Sequence, residues 1–177
     1  MENLERFMSG IAALKRRDRA GWIKREVENP ESTAEHCYGV AILAMLLAEE
    51  ARVDQLKSIK MALIHDLPEN KVPDYMPSDD ITSEEKFRQE EEAMIEICET
   101  IEGGQEYLAL WREFEEGKTG EARFVKSLDK LEMMYQAWAY EQEQPDKNLE
   151  SFWEDIEGFD FNKGAIENAF RQLKLLR

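Results

Sequence analysis

At 177 residues the chain has the length of one domain and enough residues to bury a sizeable core. Its hydrophobic content of 42% is that of a folded globular protein, which excludes a disordered chain despite 35% charged residues. The balance of 23 basic against 39 acidic residues gives a net charge of −16, and a surface that negative repels nucleic-acid polymers and anionic membranes. A small phosphorylated substrate stays compatible with this charge where a cation inverts the local field.

Almost all of the chain reads as helix, with apolar residues at spacings of three and four, so the expected fold class is all-α. A first helix is predicted over about 4–15, with Leu4, Phe7, Ile11 and Leu14 on one face. A basic stretch with a helix breaker follows, from Lys15 to Trp22. Ser32 and Glu35 then have the spacing of a capping box, which starts a second helix near Thr33 and puts His36 in its first turns. This helix is predicted to reach about Arg52. A third helix is predicted over 55–65 with Leu56, Ile59 and Leu63 facing inward, ended or kinked by Pro68. A loop punctuated by Pro68, Pro73 and Pro77 follows. Thr82 and Glu85 repeat the capping spacing and open a charged helix to about Ile101, stopped by Gly103 and Gly104. A shorter helix to Phe114 and a turn over 117–120 lead to a long helix over about 121–140, with Phe124, Leu128, Leu131, Tyr135 and Trp138 on one face. A polar linker over 141–147 precedes two short C-terminal helices. No repeat or inter-domain linker interrupts this order, so residues 1–177 are expected to form a single domain.

Cys37 and Cys98 have no metal-type spacing and are expected to be small buried hydrophobes with free thiols. The longest apolar run, 40–48, is too short to span a bilayer, and the opening Met-Glu-Asn-Leu-Glu-Arg has no apolar signal-type run. The expected location is cytoplasmic.

The chain has only two histidines, His36 and His65, and the second is followed directly by Asp66. Asp129 lies far downstream in an apolar helical stretch. Two imidazoles and two carboxylates suit a borderline to hard divalent ion. Adjacent residues on a regular helix point about 100° apart, so His65 and Asp66 can converge on one ion only at a helix end, which Pro68 supplies. His36 and Asp129 would come from opposite walls of a bundle. Asp129 has a simpler reading, an ion pair with Lys126 or Lys130. Glu69, four residues after His65, is the candidate for moving a proton beside the ion, against the reading of a solvated glutamate in an acidic chain. Arg19 lies in the densest basic patch and can fork onto a phosphate. Trp22 is read either as a wall for a sugar or base or as a core tryptophan.

The order His36, His65-Asp66, Asp129 resembles the signature of the HD-domain phosphohydrolase superfamily. Longer stretches resemble its 5'-deoxynucleotidase family. They are Arg19-Ala-Gly-Trp22, Pro30-Glu-Ser-Thr-Ala-Glu-His36, His65 to Glu69, Glu84 to Met94 and Phe124 to Lys130, and the resemblance spans roughly 4–170. It implies an all-α HD-domain helical bundle, a homodimer and one divalent metal ion (Co, Mn, Mg, Ni, Fe or Zn) held by residues matching His36, His65, Asp66 and Asp129. It also implies that Glu69 is the catalytic glutamate, Arg19 the phosphate-binding arginine, and Trp22 and Asp74 positions near the sugar. Some relatives carry the arginine directly before the tryptophan, whereas Arg19 stands three residues before it.

The expected activity is therefore metal-dependent dephosphorylation of deoxyribonucleoside 5'-monophosphates, with a small nucleotide as partner and no nucleic-acid polymer or membrane. Two alternatives stay open at this point. One is another HD phosphohydrolase acting on a nucleoside triphosphate, a cyclic nucleotide or an alarmone. The other is a non-catalytic helical interaction module stabilised by metal.

Overall fold

The computed structural model describes residues 2–76, 79–156, 158–161 and 164–177. Pro77, part of the expected proline-punctuated loop, lies outside the described residues. Among those residues the chain forms helices α1 (Glu2–Leu14), α2 (Ala20–Lys24), α3 (Thr33–Ala51), α4 (Gln55–Ile64), α5 (Ser83–Cys98), α6 (Gly104–Glu116), α7 (Gly120–Glu143), α8 (Glu150–Ile156) and α9 (Ala165–Leu176), with a 3-10 turn at Leu67–Asn70. No strand is present among the described residues, and the fold is all-α.

Local chemistry sets most of the boundaries. At the start of α3 the Ser32 side chain accepts from the Glu35 N–H while the Glu35 carboxylate accepts from the Ser32 N–H, a complete capping box. Asp54, Thr82 and Thr119 cap α4, α5 and α7 through single bonds from Lys57, Glu85 and Ala122. Each such cap contributes about 1 kcal/mol. α3 ends on Arg52 in the left-handed region, φ 56°. α6 is bracketed by Gly103 and Gly117, at φ 74° and 64°, where a side chain would be strained.

Several expectations are corrected here. The basic stretch is not free of helix, since Ala20–Lys24 turns once and carries Trp22 into the core. α5 stops at Cys98 rather than near Ile101, because the chain must turn sharply into Gly104, where a Cβ would lie 2.0 Å from the Cys98 carbonyl oxygen. Leu56 and Leu63 are exposed, not inward, and Leu4 and Tyr135 are the exposed members of the faces expected on their helices. On α4 the buried side is Ser58, Met61 and Ala62, and on α7 it includes Val125, Leu128, Leu131, Met134 and Ala137. A helix with apolar residues on more than one side is rotated by whichever side packs best, and periodicity alone does not choose it.

α3, α4 and α7 pack together around Val40, Ala44, Met61, Leu128 and Met134, all without solvent exposure. Small residues on α3 (Ala41, Ala44, Ala48) let the helices approach. Truncating Leu128 to alanine in such a core costs roughly 2–5 kcal/mol. A second cluster joins Leu14 of α1 to Met94, Ile97 and Trp111 of α5 and α6. Ile64, the last residue of α4, packs against both clusters. The end of α4 is thus held where the two meet, and Trp111 Nε1 donates to the His65 carbonyl oxygen at 3.1 Å to fix it.

Candidate active site

α3 presents His36 from its first turn, the end of α4 presents His65 and Asp66, and the middle of α7 presents Asp129. His36 and His65 are buried, at 0% and 4% exposure. The structure brings a donor atom from each of His36, His65 and Asp66 within 4.8 Å of one another. His36 Nε2 lies 3.2 Å from Asp129 Oδ1 and 3.9 Å from Asp66 Oδ2, and His65 Nε2 lies 3.3 Å from Asp66 Oδ2. Three of the expected donors, on His36, His65 and Asp66, thus form one group, and Asp129 approaches it through His36. Asp129 also pairs with Lys130 at 3.0 Å, the simpler ion-pair reading of this residue.

The outward nitrogens of both rings are fixed. His65 Nδ1 is 2.8 Å from the Ala62 carbonyl oxygen, and His36 Nδ1 is 2.6 Å from Glu132 Oε2. Both Nε2 atoms, by contrast, are buried and have no hydrogen-bond partner among the described residues, although carboxylates approach them. Buried imidazole nitrogens left without partners are costly. Their convergence on two carboxylates fits an N2O2 donor set for a divalent cation.

Electrostatics point the same way. Burial opposes the charge on Asp66, but His65, Arg19 and His36 outweigh it and hold the carboxyl well below the usual range. Asp129 is likewise buried yet kept well below its ordinary value by Lys130, His36 and His65. These two carboxylates are anionic. Glu69 behaves oppositely: burial, reinforced by Asp66 and Asp74, raises it to about 9. It is 6% exposed, and its Oε2 accepts from Thr33 Oγ1 at 3.0 Å.

A cavity of about 350 Å³ opens onto this cluster, lined by Arg19, His65, Asp66, Glu69, Asp74 and Asp129 together with Trp22, Lys86, Lys126, Met133 and Phe152. Arg19 Nη1 pairs with Asp66 Oδ2 at 2.9 Å. Asp74 Oδ2 accepts from the Ala20 N–H at 2.8 Å, which ties the chain at Asp74 to the start of α2. Arg17 donates to the Val72 carbonyl oxygen beside it. Trp22 is only 1% exposed, stacks on Phe152 at 4.2 Å and donates from Nε1 to Glu31 Oε1 at 2.9 Å. Its ring is core, with one edge at the cavity.

Thr33, Glu31 and Glu132 were not singled out by the sequence reading. Glu132 stands three residues after Asp129, the same-face spacing of a helix, and that is the signal that could have found it. Glu31 is raised to about 7 by burial and by Glu132. Glu31, His36 and Glu132 also bring donor atoms within 4.8 Å of one another.

Fold and donor set define a helical protein of the HD type. The family model described as HD domain matches residues 11–166, and the chain belongs to that family. The 5'-deoxynucleotidase HDDC2 of Dictyostelium discoideum is 42% identical over 172 residues, covering 89% of this chain and 90% of that protein. The 5'-deoxynucleotidase HDDC2 of Homo sapiens is 37% identical over 178 residues, covering 99% and 86%. Among solved structures, a conserved hypothetical protein from Pyrococcus furiosus superposes with a TM-score of 0.78 at 34% identity, covering 97% of each chain.

Proposed function

We propose that this chain is a metal-dependent 5'-nucleotidase that dephosphorylates deoxyribonucleoside 5'-monophosphates. The observation that carries the reading is the pair of buried Nε2 atoms of His36 and His65, without hydrogen-bond partners and approached by Asp66 and Asp129, beside a cavity lined by His65, Asp66, Asp129, Glu69 and Arg19. The activity named for the relatives from Dictyostelium discoideum and Homo sapiens supports it.

His36, His65, Asp66 and Asp129 would hold one divalent ion, with Co, Mn, Mg, Ni, Fe and Zn all compatible with the donors. When bound, the ion supplies Lewis-acid charge to a phosphoryl oxygen. Arg19 binds the phosphate through the guanidinium nitrogens left free by its contact with Asp66, and so sets the ester beside Glu69. Glu69 has one oxygen engaged by Thr33, which leaves Oε1 to handle a proton. Raised to about 9 by burial, Glu69 carries a proton at neutral pH. It gives that proton to the leaving 5'-oxygen as water bonds to phosphorus and the P–O5' bond breaks, and the resulting carboxylate takes the proton released by the water. Asp74 and the cavity edge of Trp22, which line the same cavity, are assigned to the sugar.

The same proposal includes a single domain, a homodimer and a cytoplasmic location. Tyr38, Leu46 and Tyr135 are exposed apolar side chains available to a partner, and no described helix is long and apolar enough to cross a membrane. Phosphate release from dAMP, dGMP, dCMP, dTMP and dUMP with Mn²⁺ or Co²⁺ tests the activity. Release from none of the five, or release of pyrophosphate or triphosphate from a nucleoside triphosphate instead, overturns it.

A further inference from the structure

We infer that Glu132 is a positioning residue for the metal centre, holding the His36 ring so that Nε2 is the nitrogen offered to the ion. The inference rests on the proposed reading of His36 as a ligand, and it concerns a residue that touches neither the ion's place nor the substrate cavity.

The geometry begins on α7. Asp129 and Glu132 are three residues apart, about 4.5 Å along one helix face. Asp129 Oδ1 meets His36 Nε2 at 3.2 Å and Glu132 Oε2 meets His36 Nδ1 at 2.6 Å. One helix therefore brings a carboxylate to each nitrogen of a fully buried imidazole, a hydrogen bond at Nδ1 and a close approach without one at Nε2. An imidazole that ligates through Nε2 carries its proton on Nδ1, and that N–H needs an acceptor. Glu132 supplies it with a charged, short hydrogen bond, which fixes the tautomer and the ring plane and raises the donor strength of Nε2. His65 reaches the same result with the Ala62 carbonyl oxygen, an uncharged acceptor. An ion between Glu31, His36 and Glu132 would need the opposite tautomer, with Nδ1 free of its proton.

The facing helix makes room for Glu132. Gly39 of α3 is the position where an added Cβ would lie 2.7 Å from Glu132 Oε1 and 3.0 Å from its Cγ. Any side chain at 39 forces the Glu132 side chain to shift from the position in which it meets His36. A glycine inside a helix is locally unfavourable, and here it has a packing reason directed at Glu132.

Manganese binding measured by the free Mn²⁺ electron paramagnetic resonance signal, at pH 8 and on the full chain, tests this without reference to turnover. Glu132→Leu is expected to weaken the Mn²⁺ Kd by about 10–100-fold. Glu132→Gln, which keeps an acceptor and loses the charge, falls between Glu132→Leu and wild type, and it keeps the test open if the leucine variant does not fold. Gly39→Ala is expected to weaken Mn²⁺ binding while the metal-free melting temperature holds or rises, a combination that a purely structural role of Glu132 does not produce. Glu31→Gln removes a neighbouring carboxylate bonded to Trp22 instead of His36, and should weaken binding less than Glu132→Gln. Wild-type Kd in Glu132→Leu and Gly39→Ala overturns the inference, as does an equal loss in Glu31→Gln and Glu132→Gln, which would make the effect one of charge alone. A wild-type protein that binds no Mn²⁺ overturns the metal reading and this inference with it. A protein that binds Mn²⁺ but hydrolyses no deoxynucleotide overturns only the proposed activity.

Discussion

Thr33 Oγ1 donates to Glu69 Oε2 at 3.0 Å, joining the first turn of α3 to the 3-10 turn after α4. Thr33 is fully buried and Glu69 nearly so, so this bond acts with little competition from water. Burial, the largest influence on Glu69, raises it, while the Thr33 hydroxyl pulls it down. Thr33→Val keeps the shape and removes the donor. A hydrogen bond to a charged group is worth about 1.5–3 kcal/mol, and one pH unit corresponds to about 1.4 kcal/mol. The limb of the kcat/KM profile governed by Glu69 is therefore expected to move up by about one pH unit. An unmoved profile would show that the hydroxyl does not act on the reacting carboxyl.

Glu69 also makes the metal-free fold sensitive to pH. Its folded value of about 9 lies above the ordinary 4.5, so the folded protein keeps a proton that the unfolded chain releases. The unfolded state binds fewer protons through this window, and stability falls as pH rises from about 4.5 to about 9. In Glu69→Gln the fall should be shallower, measured as urea midpoints at pH 5, 7 and 9 in the presence of a chelator. The same variant should lose about 100-fold or more in kcat, within the range of general acid–base effects.

Asp129 carries the test of metal linkage. A ligand that binds only the folded state at about 100 times its Kd adds about 2.7 kcal/mol. Mn²⁺ or Co²⁺ should therefore raise the melting temperature of the wild-type protein, and a chelator should reverse it. Asp129→Asn is nearly isosteric and should lose most of the metal-dependent rise. A full rise in this variant would remove Asp129 from the donor set.

Arg19→Lys separates charge from geometry at the phosphate. Lysine keeps a cation near Asp66 but loses the planar fork that matches phosphate oxygens. With dAMP as substrate, kcat/KM should fall by about 10-fold or more, chiefly through KM, while the melting temperature changes little. Wild-type KM in this variant would place the phosphate elsewhere in the cavity.

The candidate site was unusually legible because its local code is explicit. Ser32 and Glu35 set the start of α3 and hence the depth of His36. Pro68 marks the break that lets the adjacent His65 and Asp66 turn toward one point, although the helix proper ends earlier, at Ile64. The inward faces were less legible. Leu56 and Leu63 fit a helical stripe as well as Met61 and Ala62 do, but only the second pair meets α3 and α7.

By itself, then, the sequence determined that the chain is helical, where most helices begin and end, and which rare polar residues stand at places a metal site requires. Those are local matters of capping, proline and glycine geometry and composition. The tertiary structure alone decided which side of each helix is buried, that Trp22 turns its ring into the core, and that Thr33 and Glu132 reach Glu69 and His36 across 36 and 96 residues of chain. The second contact depends on how closely α3 approaches α7, which Gly39 and the alanines of α3 permit. That distance is a property of two packed surfaces and is not written in either one.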